Sequence, residues 1–360
     1  MNKDSIKAIL NLFSIRGNIL NTTILQSGYI NKTYLIEVEG GHRKRLILQS
    51  INTAVFPQVG DLMDNVLYTC RHIDERLQSG DFDFVYTNLH FYTTKEGLPF
   101  IHYGDDYFRL LDFIPHQPLE TGEITTAVAA EAGKTLGHFH LLIHRMNPEK
   151  VVEVIPDFHR LDLRFEHLLA IDTADNPRFT ASKDFYEKVL GFKYLVDEFR
   201  AIIRDRTLPL RVVHNDPKLS NMLFDESGVG ITMIDLDTVM PGFLGNDFGD
   251  AIRSLANTAG ENEPDLERVH FDDRLYENFA KAYLDTVRRI ISLREREYLS
   301  RFVLFITFEQ LIRFYADYLQ NDVYYPVSYP TQNLQRAKVQ WKLLREMEGY
   351  CHSSTLTIFQ

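Results

Sequence analysis

Residues 214–221 read His-Asn-Asp-Pro-Lys-Leu-Ser-Asn, and residues 234–237 read Ile-Asp-Leu-Asp. These two stretches decide the fold. Asn221 follows Asp216 by five positions, which is enough for a loop to turn back and bring both side chains to one cleft. Asp235 ends an apolar run whose pattern predicts a buried strand. We therefore expect its carboxylate to project from the strand end into the same cleft.

Phosphoryl transfer from a metal–nucleotide complex needs this set of groups. One carboxylate lies beside the attacking hydroxyl, while an amide oxygen and a second carboxylate hold the metal that neutralises the β- and γ-phosphates. The pattern predicts Asp216 in the first role and Asn221 and Asp235 as metal ligands. The alternative for the loop alone is a turn with Asx hydrogen bonds. The later Asp235 and the Asp-Phe-Gly-Asp segment at 247–250 favour the catalytic interpretation.

These motifs resemble the catalytic loop of the protein-kinase-like small-molecule kinases, the superfamily of aminoglycoside phosphotransferases and choline kinases. Within it the chain resembles the N-acetylhexosamine 1-kinases over residues 28–348. The resemblance implies an α+β, two-lobed protein-kinase-like fold with a small antiparallel-sheet N-lobe and a larger, mainly helical C-lobe. It also implies ATP and Mg²⁺ as cofactors, and phosphorylation of the anomeric 1-OH of GlcNAc or GalNAc.

The other polar residues of the motif receive supporting roles. Lys218 lies two positions past Asp216, where its charge is expected to reach the γ-phosphate and the attacking oxygen; the alternative is a solvent-exposed loop lysine. His214 is expected to shape the loop. Asp247 and Asp250 are expected to support the loop from behind, through helix capping and a salt bridge.

Asp237 follows Asp235 by two positions, and strand alternation places the two side chains on one face. The pattern therefore predicts that Asp237 contacts either the metal or the sugar.

The nucleotide is expected between the first two predicted strands. Gly28 permits close approach of the backbone to a phosphate, and Asn31 and Thr33 can donate hydrogen bonds to it. Protein kinases carry a lysine on the next strand, paired with an acidic residue of the following helix. Gln49 stands at that position here. The usual clamp is therefore in doubt, and Lys218 is the expected compensating cation.

The acceptor is expected beside an apolar helix near the C-terminus. Arg313 and Asp317 lie one turn apart among Phe and Tyr residues, and the plain interpretation is an intrahelical ion pair. A pocket with aromatic walls and a few fixed polar groups also suits a sugar. The resemblance implies that Arg313 and Tyr324 contact the sugar. A cation here argues against a polycationic aminoglycoside.

The periodicity and turn signals predict a β-rich first part and a helical second part, with domains at residues 1–114 and 115–360. The predicted helices cover residues 1–15, 63–77, 128–142, 184–204 and 297–319, and the predicted strands cover 29–38, 45–49, 84–94, 98–103 and 107–114.

The composition narrows the partners. A net charge of −11 argues against a general nucleic-acid binder. Cys70 and Cys351 form no spacing pattern, which favours a reducing compartment. There is no signal-peptide pattern and no apolar run of membrane-spanning length. We expect a cytoplasmic enzyme whose partners are ATP and a small-molecule sugar, with no membrane and no obligate protein partner.

Several alternatives stay open from the sequence. The acceptor can be another sugar, an amino alcohol or an aminoglycoside. The chain can also be a catalytically inactive nucleotide-binding module, or a metal-dependent hydrolase that uses His214 and Asp216. His140 and His144 have the spacing of a zinc helix, but the apolar surroundings favour structural histidines.

Overall fold

The computed structural model describes residues 1–25, 30–40, 42–118 and 124–353 of the chain. The helices are α1 (Lys3–Leu12), α2 (Val59–Gln78), α3 (Thr126–Ile143), α4 (Leu161–Ala170), α5 (Pro177–Leu190), α6 (Lys193–Arg204), α7 (Leu244–Leu255), α8 (Asp273–Val287), α9 (Leu293–Leu319) and α10 (Gln332–Ser353). The strands are β1 (Asn18–Leu25), β2 (Lys32–Gly40), β3 (His42–Ile51), β4 (Ile101–Tyr103), β5 (Asp106–Asp112), β6 (Arg211–Val213), β7 (Met222–Phe224), β8 (Gly230–Met233) and β9 (Met240–Gly242).

The first five strands form one antiparallel sheet in the order β1-β2-β3-β5-β4. Side chains alternate between its two faces, as the pleat of a strand requires. Ile36, Leu48 and Leu110 point to one face and pack with Ile9 of α1 in a small core of their own. The opposite face is therefore free to meet the helical part of the chain.

The helical part is built around α9, which packs against α4, α7 and α10. A capping box of Ser292 and Glu295 fixes the start of α9, because each residue satisfies a backbone N–H of the first turn. Its residues 302–308 are buried. Leu62 and Met63 of α2 belong to the same large core. The predicted α+β architecture is confirmed, and the boundary between residues 114 and 115 stays a prediction.

The structure corrects the predicted strand at residues 84–94. Thr87 donates its N–H to the Ile231 carbonyl at 2.9 Å, whereas Tyr92 donates to the Leu110 carbonyl at 2.8 Å. The backbone bonds of this segment thus go to two separate sheets, and no continuous ladder can form. Alternation of apolar residues reports burial of every second side chain and does not identify the partner strand.

The predicted helix at residues 184–204 is also wrong in part, because the structure divides it into the end of α5 and the whole of α6. Phe192, between them, has a ψ of 10°, and its ring is buried in the large core. Gly191, a poor helix former, is the C-cap of α5, so the helix ends where the periodicity alone continued it.

Among the described residues, no helix combines the length and the apolar character needed to cross a membrane.

The contact of α7 with α9 positions the site described below, and we predict that it tolerates no side chain at Gly249. An added Cβ would lie 2.5 Å from the backbone oxygen of Phe302, which cannot move aside. Gly249→Ala should lower the free energy of unfolding by about 1–3 kcal/mol, measured by urea denaturation. Gly60→Ala in α2 is the matched control, since no atom lies within 4 Å. Equal effects of the two substitutions would contradict this packing.

Candidate active site

The loop that follows β6 is held by one buried carboxylate. Asp247 has no exposed side-chain surface, and its two oxygens accept the backbone N–H groups of His214 at 2.7 Å and of Asn215 at 2.6 Å. His140 Nε2 lies 2.8 Å from the same carboxylate, and His140 Nδ1 lies 2.9 Å from the Tyr283 hydroxyl. Both ring nitrogens of His140 thus have protein partners, as expected of a structural histidine.

Asp247 lies in the first turn of α7, yet it does not cap that helix. The helix begins after Phe243 without a side-chain cap, so the expected capping role is wrong, because the carboxylate is bonded to the neighbouring loop instead. Asp250 pairs with Arg253 of its own helix at 2.8 Å. The expected salt bridge from Asp250 to the loop is therefore replaced by a pair within α7.

His214 joins the loop to the end of β8. Its Nδ1 lies 3.3 Å from the N–H of Asp216 and its Nε2 lies 2.9 Å from the Ile234 carbonyl. The first contact requires an accepting nitrogen and the second a donating one. Burial lowers the pKa of His214, so the ring stays neutral and can satisfy both contacts.

Asp216, Lys218 and Asn221 converge as the sequence predicted. Lys218 Nζ lies 2.8 Å from Asp216 Oδ2, and Asn221 Nδ2 donates to the Asp216 carbonyl at 2.8 Å and to Oδ2 at 3.1 Å. Burial opposes the charge of Lys218, but the combined effect of Asp216, Asp235 and Asp250 outweighs it and raises the pKa of the lysine. The carboxylate of Asp216 keeps its second oxygen free of partners among the described residues.

Asp235 follows β8 in a left-handed backbone conformation with φ +63°, a strained geometry for a residue other than glycine. Its carboxylate receives no hydrogen bond from the part of the chain that the structure describes. Burial, followed by repulsion from Asp237 and Asp216, raises the pKa of Asp235 to about 7. Negative charge is thus concentrated here beyond what the protein neutralises.

These groups fit a divalent cation. The amide nitrogen of Asn221 is committed to Asp216, which leaves its oxygen available as a metal ligand. The residue before Asp235 is bonded to Asn221, since the Ile234 N–H donates to the Asn221 carbonyl at 2.8 Å. Hard oxygen ligands of this kind suit Mg²⁺.

Asp237 lies in a buried ion pair instead of an open site. Arg109 Nη1 and Nη2 bind its two oxygens at 2.5 Å and 2.9 Å, and Asn31 Nδ2 donates to it at 2.7 Å. Only 2% of Arg109 is exposed. These partners occupy both oxygens, which argues against the metal or sugar contact that alternation predicted for Asp237.

The sheet face turned to the helical lobe is organised in cross-strand rows. Three strands contribute one residue to each row, and the register defines them as Thr33–Gln49–Arg109 and Leu35–Ile47–Leu111. Next to these, Arg45 stacks its guanidinium 4.2 Å from the centre of the Phe113 ring. The face is thus polar at the row Thr33–Gln49–Arg109 and apolar at the row Leu35–Ile47–Leu111. It is charged beyond the apolar row, at Arg45. Gly28 lies outside the described residues.

A recess opens beside Asp216. It is lined by Phe158, His159, Asn215, Asp250, Arg253, Ile306, Glu309, Gln310 and Arg313. With a volume of about 50 Å³, the recess can hold one edge of a ligand that carries a hydroxyl or amide group. The rest of the ligand would then lie in the cleft.

One acceptor in this recess has no partner. Glu309 is 2% exposed, and its Oε1 has no hydrogen bond among the described residues. Its Oε2 lies 3.2 Å from His159 Nδ1, while His159 Nε2 lies 2.9 Å from the Asn215 carbonyl. The Asn215 carbonyl can only accept, so His159 donates from Nε2. Its Nδ1 faces the carboxylate of Glu309, which also accepts. The side chain is therefore a cation, whose pKa Glu309 raises despite the opposing effect of burial.

Arg313 is held over aromatic rings. Its guanidinium lies 5.2 Å from the centre of Phe158 and 5.7 Å from that of Tyr325, a cation–π geometry. Nη1 donates to Gln310 Oε1 at 3.3 Å.

The intrahelical pair of Arg313 with Asp317 is not formed. Asp317 instead accepts the backbone N–H groups of Tyr324 at 2.8 Å and Tyr325 at 2.9 Å. Tyr324 is 53% exposed and packs edge-on against Tyr325. Asp317 therefore positions the segment that carries Tyr324 next to Arg313.

A family model described as the phosphotransferase enzyme family matches residues 21–293. The chain belongs to that family. Among solved structures, a spectinomycin phosphotransferase in complex with ADP and spectinomycin is 15% identical, with 98% of each chain covered and a TM-score of 0.57. A choline kinase from Cryptosporidium parvum is 14% identical, covering 98% of this chain and 96% of that one, with a TM-score of 0.57. A microcompartment-associated aminopropanol kinase is 16% identical, covering 99% and 100%, with a TM-score of 0.58. At such identities the similarity concerns the fold alone, and it is the two-lobed kinase fold that the sequence predicted.

The sequence analysis missed three polar residues of this phosphotransferase. Glu309 had a usable signal, since it is a carboxylate one turn before Arg313 on an otherwise apolar helix. Arg109 had a weaker signal, because it is a charged residue among the apolar residues of a strand. The neighbouring strand has Gln49 where protein kinases carry a lysine. Nothing in the pattern around His159 distinguished it.

We predict that the charge of His159 makes the stability of this phosphotransferase depend on pH. A raised pKa in the folded state stabilises the fold below the unfolded value of about 6.5, and this stabilisation is lost as the pH rises through the folded value. The difference in free energy of unfolding between wild type and His159→Gln should therefore be largest in mildly acidic buffer and shrink in alkaline buffer. A difference that does not change with pH, measured by urea denaturation, would refute the charged state.

Proposed function

We propose that this phosphotransferase transfers the γ-phosphoryl group of ATP to the anomeric 1-OH of an N-acetylhexosamine, giving the sugar 1-phosphate. The observation that carries the proposal is the recess beside Asp216. It combines the unpartnered carboxylate oxygen of Glu309 with the guanidinium of Arg313. A ligand that offers both hydrogen-bond donors and acceptors on one edge matches this pair.

The charges of the recess favour a neutral acceptor. His159 and Arg313 are cations, so a polycationic aminoglycoside would meet like charges. A quaternary ammonium needs open aromatic faces, but Arg313 already covers Phe158 and Tyr325. A primary ammonium at the free Glu309 oxygen would lie beside the cations His159 and Arg313. A sugar, whose hydroxyls both donate and accept, avoids both conflicts.

The choice of an N-acetylhexosamine rests on the sequence resemblance as well as on this chemistry. Glu309 Oε1 can accept only from an O–H or N–H group, and the acetamide N–H or a ring hydroxyl of the sugar supplies one. A buried acceptor left without its partner is costly, so the site rejects analogues that lack the matching group. Arg313 and Tyr324 are the proposed partners of the remaining sugar oxygens.

The nucleotide is proposed to lie against the sheet face described above. The apolar row Leu35–Ile47–Leu111 suits a base, and the polar end, next to Asn31 and including Thr33, suits the phosphates. Gly28 stays the residue predicted from the sequence to let the backbone approach a phosphate. The solved spectinomycin phosphotransferase contains ADP, which supports a nucleotide as a ligand of this chain. Asn221 and Asp235 would hold Mg²⁺, which neutralises charge on the β- and γ-phosphates when bound.

Each residue of the loop then has a proposed task. Asp216 orients the acceptor hydroxyl and takes its proton. Lys218 lies against Asp216 and stabilises charge on the transferring phosphoryl group. His214 holds the loop in shape through its two ring contacts. Because transition states of this reaction are loose, positioning and electrostatics provide most of the rate acceleration.

The alternative functions do not account for these residues or for the small sheet. An inactive nucleotide-binding module has no need of Asp216, Asn221 and Asp235 together, and a hydrolase has no need of the small sheet that packs over the cleft.

An acceptor panel tests the proposal. The purified protein is incubated with ATP and Mg²⁺ and with GlcNAc, GalNAc, glucose, choline, aminopropanol or kanamycin, and the phosphate is located by phosphorus NMR. The expected product is the 1-phosphate of both N-acetylhexosamines. Preferential phosphorylation of choline, aminopropanol or kanamycin would overturn the proposed acceptor and leave only the phosphotransferase family.

We predict that Asp216→Asn lowers kcat by about 10³-fold or more, because the amide cannot take the proton of the acceptor. Affinity for Mg²⁺·ADP should change only a few-fold, as the residue faces the acceptor. Turnover and calorimetric binding are measured on the same preparation. Substantial retained turnover would remove Asp216 from its role.

We predict that Glu309→Gln raises the KM for the sugar and leaves the KM for ATP nearly unchanged. The amide replaces a carboxylate that accepts from the acceptor, and removal of a charged hydrogen-bond partner typically costs about tenfold or more. Glu267→Gln, which changes an exposed glutamate in another part of the chain, is the matched control. Equal changes in both KM values would show that Glu309 supports the fold and does not read the acceptor.

A further inference from the structure

The position where protein kinases carry a lysine on the third strand is Gln49 here, and its neighbour across the sheet is a buried arginine. Arg109 stands directly opposite Gln49 in the β3–β5 register. Its Nε donates to Gln49 Oε1 at 2.9 Å, and Gln49 Nε2 donates onward to Thr33 Oγ1 at 3.2 Å. The cation missing from β3 is thus present one strand away, joined to the expected position by a hydrogen bond.

Arg109 also crosses from the small sheet to the helical lobe. Its guanidinium binds Asp237 through two nitrogens, a fork geometry that fixes distance and angle together. Asn31 Nδ2 donates to the same carboxylate, and Asn31 Oδ1 accepts the backbone N–H of Asn52 at 3.0 Å. Asp237 therefore accepts hydrogen bonds from Arg109 of β5 and from Asn31, the residue just before β2.

Asp237 lies two residues after Asp235, in the short helical turn of residues 236–238. Asp235 is the residue immediately before this turn. Asp235 itself has a left-handed backbone, which costs energy and persists only where surrounding contacts enforce it. The fork on Asp237 is a contact of that kind. It ties the strained turn to the sheet face on which the nucleotide is proposed to lie.

We propose that Arg109 is a positioning residue that replaces the lysine of the third strand. Acting through Asp237 and Gln49, it sets the Asp235 carboxylate relative to the sheet face on which the nucleotide is proposed to lie, and so tunes the affinity for the metal–nucleotide complex. The inference rests on the proposed nucleotide site but is independent of the acceptor.

Arg109 acts through other residues because each of its three guanidinium nitrogens already has a protein partner. Nε binds Gln49, Nη1 binds Asp237 and lies 3.8 Å from Met63 Sδ, and Nη2 binds Asp237. Buried ion pairs contribute little to the net stability of a fold, since replacing such a pair with apolar residues of similar volume often leaves the stability unchanged. A positioning role gives a reason for a charged pair at this place.

Calorimetric titration of the protein with Mg²⁺·ADP, without acceptor, tests the proposal. Arg109→Met should weaken binding by about tenfold or more, with the acceptor KM within about twofold of wild type. Lys44→Met is the matched control, as it removes an exposed cation from the opposite face of the same sheet and should leave binding unchanged. Introducing Gln49→Lys into Arg109→Met returns one cation to β3 and should recover part of the lost affinity.

A purely structural role predicts a different result. It would lower the melting temperature and the folded fraction of Arg109→Met while leaving the affinity of the folded molecules intact, and that outcome would overturn the proposal. If Arg109→Met does not fold, Arg109→Lys keeps the charge without the fork, and unchanged Mg²⁺·ADP affinity in that variant would equally contradict it. Failure of the wild type to bind Mg²⁺·ADP would instead refute the proposed nucleotide site.

Discussion

The buried carboxylate of Asp247 is the contact on which the site depends. It accepts two consecutive backbone N–H groups of the catalytic loop and a histidine of α3. Such a carboxylate is expensive to bury without partners, so the loop, α3 and α7 are held in one arrangement. α7 in turn packs closely on α9 near Gly249, and α9 carries Glu309 and Arg313, two of the groups that line the recess. The Asp216 carboxylate and the recess proposed for the acceptor therefore belong to one packed unit.

The small sheet is joined to that unit by a second buried polar contact, the fork of Arg109 on Asp237. Between the two contacts lie Asn215 and Asp235, both with left-handed backbones. Strain of this kind persists only where surrounding bonds over-determine the chain. The local geometry around the expected metal site is thus maintained by hydrogen bonds from both lobes, which explains why so many buried polar residues surround a small cleft.

The sequence predicted what is encoded locally. Asp216 and Asn221 are five positions apart and meet through a turn, and Asp235 follows a hairpin, so spacing was enough to place them. The partner of Asp237 was missed because Arg109 lies 128 positions away, and periodicity carries no information on such pairs. The same holds for His159 and Glu309, 150 positions apart. Residues 84–94 show the converse failure, where a strand-like segment bonds to two separate sheets and so has no continuous partner strand.

The most direct test of this account is a crystal structure with ADP, Mg²⁺ and GlcNAc bound. The account predicts Mg²⁺ on Asn221 and Asp235, the 1-OH of the sugar at Asp216, and a sugar O–H or N–H group donating to Glu309 Oε1. A metal bound by Asp237, or a sugar lying outside the recess beside Asp216, would contradict it.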